Sequence, residues 1–359
     1  MSTPMPSRPR RRLLALAAAP ALGATWLAAG PAHAADAPEP VPLDERFDPA
    51  AQAAGLLAVS ATPALKGQRR VAVPMFTVEF VTADQITAQT SGFASAGRAS
   101  SSLYYTLHGL DPALCQALAE QLHTAFLGQL KAAGLEVVDT AQVLASPTWA
   151  KVSGSGKPLP VVAERSLTVG PAGMRLYGAA QAAQGARGGG LMGGLSAFGQ
   201  IASAIGSMGD RLTLQKELDA ALLEVQLRVH FVQLQSSTRG FWGRISDTAR
   251  VDGKVYPALT LEGTQVEVTQ PGGAVSRVTL KAPLAMDPGA IAKVAPKPTS
   301  AGDVAGAVAV GLLRLATGSQ DRSSSEELQA FVDPQRYPEV LAAGLQRAQA
   351  AIVQALVAP

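Results

Sequence analysis

The 359-residue sequence has one cysteine, Cys115. A single thiol excludes an intramolecular disulfide, a C-x-x-C redox pair and a cysteine-rich zinc site. Among apolar helix residues it reads as a buried structural thiol. Histidine is nearly as scarce: of four, only His108, His123 and His230 lie beyond the first 34 residues. No two stand at metal-ligand spacing and no H-E-x-x-H occurs, so no metal and no other cofactor is expected. There is no G-x-S-x-G elbow. Ser153-Gly154-Ser155-Gly156-Lys157 lacks the earlier Gly and the following Ser or Thr of a phosphate loop, and reads as a flexible linker. Acids are scattered, with no carboxylate pair that acid–base chemistry would select.

What is present first concerns the start of the chain. Arg8, Arg10, Arg11 and Arg12 precede an apolar run, Leu13–Gly30, and Ala32-His33-Ala34 has the small-x-small pattern of a signal-peptidase site. The run contains Pro20 and several Gly and Ala, which suits a signal h-region better than a membrane anchor. Residues 1–34 are therefore expected to be a signal peptide, by the general or the twin-arginine route, with Ala35 as the mature N-terminus and the periplasm as destination. No cysteine near residue 34 offers a lipid anchor. Removing four Arg and no acid turns the formal charge from +3 to 3 − 4 = −1. A near-neutral exported chain is not expected to bind nucleic acid.

The most unusual composition is Gly178–Gly209, where ten of 32 residues are Gly and Arg187 is the only charge. Leu191, Leu195, Phe198, Ile201, Ile205 and Met208 follow at helical spacing and are the candidate interaction residues. Two readings stand open. One is a Gly/Ala loop and a short helix covering a sheet edge; the other is an interfacial or oligomer-forming helix. Gly189-x-x-x-Gly193 and Gly190-x-x-x-Gly194 would let another backbone approach closely.

The remaining chain alternates between strand and helix signals. Residues 35–69 begin with dense Pro and acid and read as a tether, with a short helix from Asp48-Pro49. Val71–Phe80 reads as a strand with an irregularity at Pro74, and 103–107 as a second strand forming a hairpin with it across a loop at 82–102. Asp111-Pro112 opens a helix that Gly134 ends. Its expected buried face is Leu114, Leu118, Leu122, Phe126 and Leu130, with His123 beside that face and Gln129 off it. Strand-like sequence returns at 135–138 and 161–177. In Leu223–Phe231, large apolar residues alternate with Glu224, Gln226, Arg228 and His230, predicting one buried and one wet face. Strands follow at 255–261, 264–269 and 275–280, the last two joined through Pro271-Gly272-Gly273. Helices are expected at 303–316 and from Asp333-Pro334, the latter burying Tyr337, Leu341, Leu345, Ile352 and Leu356. The fold class is α/β to α+β: a mixed, largely antiparallel sheet with helices packed on it. Residues 70–359 form one domain, with 178–209 as a Gly-rich insertion.

The strand V-A-V-P-M-F-T-V-E-F (71–80) and the helix end L-K-A-A-G-L-E-V-V (130–138), behind an export signal, resemble exported proteobacterial proteins of unknown function. They are also similar to the periplasmic domain of the curli-secretion channel family over residues 70–145. The resemblance implies fold class and compartment; the lipidated N-terminal cysteine typical of that family is absent here.

Together these features predict a non-catalytic cell-envelope protein whose partner is another envelope protein or a second copy of itself. The alternatives are an outer-membrane-associated oligomer contacting lipid through 178–209, and an enzyme without a recognisable motif.

Overall fold

A computed structural model describes residues 38–60, 63–65, 67–89, 100–178, 180–181, 209–237, 250–297, 313–314 and 323–358. Its spine is the 17-residue strand β11 (Ala221–Ser237). One edge of β11 pairs in parallel with β3 (Arg70–Val81). The other edge is shared by two antiparallel partners, β13 (Gln265–Thr269) beside its first half and β12 (Arg250–Leu259) beside its second. Beyond β13 the sheet continues through β14 (Val275–Leu280) to β2 (Leu57–Val59). Beyond β12 it reaches β15 (Leu284–Ala285), then β1 (Val41–Pro42), and a short pairing with β17 (Leu313–Arg314). The far edge of β3 takes β6 (Glu136–Val137) and β9 (Ser166–Val169), and β9 takes β8 (Val161–Val162). A four-stranded sheet runs β16 (Ile291–Pro296), β18 (Ser323–Val332), β5 (Ser100–His108), β4 (Ala83–Gln89), with only β18–β5 parallel. The short strands β7 (Lys157–Pro158) and β10 (Arg175–Leu176) pair apart from both. Mixed, mostly antiparallel sheets carrying six helices among the described residues give the α+β domain that the sequence predicts.

Pro74 marks the irregularity in β3. Leu222 pairs with Ala72 and Glu224 with Met75, so β3 carries one extra residue there. Proline has no N–H to give the ladder and is at home in a bulge. The Pro74 carbonyl accepts from Trp149 Nε1 at 3.0 Å, which brings α4 (Pro147–Ser153) and α3 (Thr140–Ala145) onto one face of the sheet. With α5 (209–218) they bury Met75, Val143, Trp149, Leu214 and Leu218. The opposite face carries α1 (Pro49–Leu56), α2 (Pro112–Ala132) and α6 (Tyr337–Val357), which pack in the larger core with Val225, Leu227, Val229 and Phe231. α6 is the one helix among the described residues long and apolar enough to cross a membrane, but 56% of its apolar window is buried in the domain. It buries Tyr337, Leu341, Leu345, Ile352 and Leu356 as expected.

Helix α2 starts where the sequence places it. Asp111 accepts from Ala113 N at 2.8 Å, Pro112 is the first helical residue, and Gly134 takes φ +83° after the end. Its buried face differs from the expected one. Leu114 is 41% exposed, and the buried set is Cys115, Leu118, Ala119, Leu122, His123, Phe126 and Leu130. An i, i+4 row drifts by about 40° per step at 3.6 residues per turn, so a row from 114 to 130 cannot share one face. His123 is packed 5.4 Å from the Phe76 ring, and burial lowers its pKa. Gln129 is half-buried and donates to the Gln346 carbonyl at 3.1 Å, while Gln349 donates to the Leu122 carbonyl at 3.2 Å. Two amides thus tie α2 to α6.

Other expectations need correction. The proposed tether is built into the domain from Pro38 on: Leu43 and Phe47 are core residues and β1, α1 and β2 follow. Pro and acid there serve caps and turns, as Asp48 does by accepting from Ala50 N and Ala51 N. β3 does not form a hairpin with β5, because both its edges are taken; β4 pairs with β5 instead. The 153–157 linker is packed: Ser153 is buried, and a Cβ on Gly156 would lie 2.7 Å from the Leu176 carbonyl. Leu313–Arg314 is strand within the expected 303–316 helix, and 303–312 and 315–316 lie outside the described residues. Asp333-Pro334 forms a turn ahead of α6, which begins at Tyr337.

Candidate functional site

The alternation in β11 predicts a wet face, and the structure corrects this. Glu224, Gln226, Arg228 and His230 are 3%, 9%, 9% and 8% exposed. Burying such a row is costly unless each charge finds a partner. The partners come from neighbouring strands and from α5.

Glu224 lies directly across the ladder from Glu267 of β13, and Glu267 from Arg277 of β14. Two facing carboxylates repel unless a cation bridges them. Arg211 does so from α5: Nη2 reaches Glu224 Oε2 at 2.7 Å and Nη1 reaches Glu267 Oε1 at 2.8 Å. A planar guanidinium can serve two acceptors at once where a lysine could not. Arg277 Nε closes the far side of Glu267 at 3.0 Å. Burial pushes the Glu224 carboxyl up to about 7, outweighing the pull of Arg211. The Tyr177 side chain is buried beside this carboxylate, and burial raises its pKa. Further along β11, Arg228 Nε meets Glu79 of β3 at 3.2 Å, and His230 Nδ1 lies 3.7 Å from Asp84 of β4.

The Arg211 cluster also joins the two ends of the Gly-rich segment. Tyr177 and Gly178 lead into it, and α5 leads out of it. Gly178 has φ +60°, and a Cβ there would stand 2.8 Å from Arg211 Nη2. Only glycine meets both demands at once. Leu212, next to Arg211, covers Gly273 in the β13–β14 turn. The described residues on either side of 182–208 therefore meet at one place.

The six candidate interaction residues, Leu191, Leu195, Phe198, Ile201, Ile205 and Met208, lie outside the described residues. Among the described residues no group of three or more His, Cys, Asp or Glu could hold a metal ion. Cys115 is buried, with its thiol pushed up to about 12 by burial. The residues that sequence reasoning missed are Tyr177, Arg211, Glu224 and Glu267. A signal for them exists: Arg211 is the first basic residue after a stretch nearly devoid of charge. Its two acceptors are acids flanked on both sides by apolar residues, Leu223 and Val225 around Glu224 and Val266 and Val268 around Glu267. In chemical terms Arg211 pairs both carboxylates, and the cluster joins the described residues on either side of 182–208.

No family model, no curated protein and no solved structure matches the chain.

Proposed function

We propose that this chain is a non-catalytic, exported cell-envelope protein that binds another envelope protein, or a second copy of itself, through residues 178–209. The observation that carries the reading is the convergence of Tyr177-Gly178 and Arg211 on one buried cluster in the central sheet. A segment rich in Gly and large apolar residues is thereby held by a rigid base at both ends. Large apolar residues unaccompanied by charge suit a protein or lipid contact better than an exposed loop. Export rests on Arg8–Arg12, the apolar run and Ala32-His33-Ala34. Intact mass of the exported protein should place its N-terminus at Ala35; a retained 1–34 segment would remove the periplasmic assignment.

The direct test is Phe198→Asp with Ile201→Asp. The double variant should stay folded and shift from a larger or membrane-associated species to a smaller soluble one, read by light scattering and fractionation. An unchanged species would move the contact elsewhere. Loss of folding would make the segment part of the core.

A further inference from the structure

A second place in the molecule has the form of a small-molecule site, far in sequence from the Gly-rich segment. β1 and the loop after it stand on one side, the first three turns of α6 on the other. Between them, above β15 and Tyr256, lies a cleft of about 640 Å³, within the size range of ligand pockets. Its walls are largely apolar, with Leu43, Met286, Val340 and Ala343 among them. The helix wall is fixed where Gly344 meets Met286: a Cβ on Gly344 would stand 2.6 Å from Met286 Cγ.

The charges around the cleft are one-sided. Asp44, Glu45, Asp287 and Glu339 line it, against Arg347 alone. Arg347 donates from Nη1 to the Leu43 carbonyl at 2.8 Å. Asp44 is paired with Arg46 at 2.7 Å and Asp287 with Arg336 at 3.3 Å. Glu45 and Glu339, one on each wall, have no ion pair among the described residues. The mouth therefore carries two carboxylates without an ion pair above an apolar floor, against the single cation Arg347.

We propose that this cleft binds a small amphipathic amine, with its apolar body on Met286, Val340 and Ala343 and its ammonium between Glu45 and Glu339. An anion would meet net negative charge, since Glu45 and Glu339 outnumber Arg347 once Asp44 and Asp287 are paired. A neutral apolar molecule would leave the two carboxylates unused. The attraction acts at a partly solvated mouth and should weaken with salt.

The probe is octylammonium, titrated calorimetrically into the full chain below its micellar concentration, with octanoate and octanol as controls. Saturable binding of octylammonium at least tenfold tighter than either control is expected. Glu45→Gln with Glu339→Gln, both at exposed positions, should weaken it at least fivefold. Ala343→Trp, which fills the cleft from the exposed side of α6, should abolish it while circular dichroism stays unchanged. Equal binding of octanoate or octanol would overturn the proposal, as would indifference to the paired Gln variant, or no saturable binding of octylammonium.

Discussion

The two faces of β11 are both buried, but by different physics. One face (Leu223, Val225, Leu227, Val229, Phe231) is covered by apolar side chains and packs in the larger core. The other (Glu224, Gln226, Arg228, His230) is covered by ion pairs reaching in from α5 and β3 and by the approach of Asp84 of β4 to His230. Apolar burial is non-directional and tolerates many partners. A buried ion pair tolerates few, because removing one member leaves the other charged and dry. The second face therefore fixes where its covering elements sit, whereas the first mainly holds them on.

The sharpest way to break this contrast is Arg211→Ala. It strands the buried Glu224 and leaves Glu267 with Arg277 alone, and should cost about 3–5 kcal/mol in urea unfolding. Arg211→Lys should recover only part, since an ammonium lacks the two-pronged fork. On the apolar face, Leu227→Ala should cost ~2–5 kcal/mol through lost transfer energy and a cavity, with no dependence on pH.

Dependence on pH enters from both sides of the sheet, with opposite signs. The Glu224 carboxyl titrates near 7 when folded, against an ordinary 4.5. Folding thus favours its protonated form, and its contribution is full below 4.5 and declines as pH rises toward 7. At 1.36 kcal/mol per pKa unit the decline is at most roughly 3 kcal/mol. His123 acts in the opposite sense: burial lowers its pKa from 6.5, so its contribution is lost as pH falls below that value. Glu224→Gln can still accept from Arg211, and it should remove the falling arm while leaving the His123 arm. Unfolding midpoints of both proteins between pH 4.5 and 7.5 check this; parallel curves would show that Glu224 is ionised throughout.

The smallest effect tests the face of α2. Leu114→Ala should change stability by no more than about 0.5 kcal/mol, although Leu114 belongs to the same sequence row as Leu118. A loss as large as that of a buried leucine would restore the row as the packing face.

Local chemistry made much of the fold legible. Asp111-Pro112 and Gly134 bound α2, Pro271-Gly272-Gly273 turn β13 into β14, and Pro74 marks the bulge in β3. These signals act within a few residues of where they are written. What was not legible depends on partners far away in sequence. Glu224 looks solvated until Arg211 and Glu267 are beside it, and β3 looks free to pair with β5 until β11 and β9 occupy its edges. Leu43 and Phe47 sit in a segment of dense Pro and acid, and only the packed domain shows that they are core. The candidate contact at 191–208 was legible as composition, and its base at Tyr177, Gly178 and Arg211 was not.

The base at Tyr177, Gly178 and Arg211 should be complete without the segment it holds. Replacing residues 182–208 by a six-residue Gly/Ser linker tests this most directly, read by urea unfolding and light scattering on the same sample. The unfolding midpoint should stay within that of the parent while any larger or membrane-associated species disappears. A collapse of the midpoint would place the segment inside the core, and an unchanged assembly would place the contact elsewhere; either result contradicts the account.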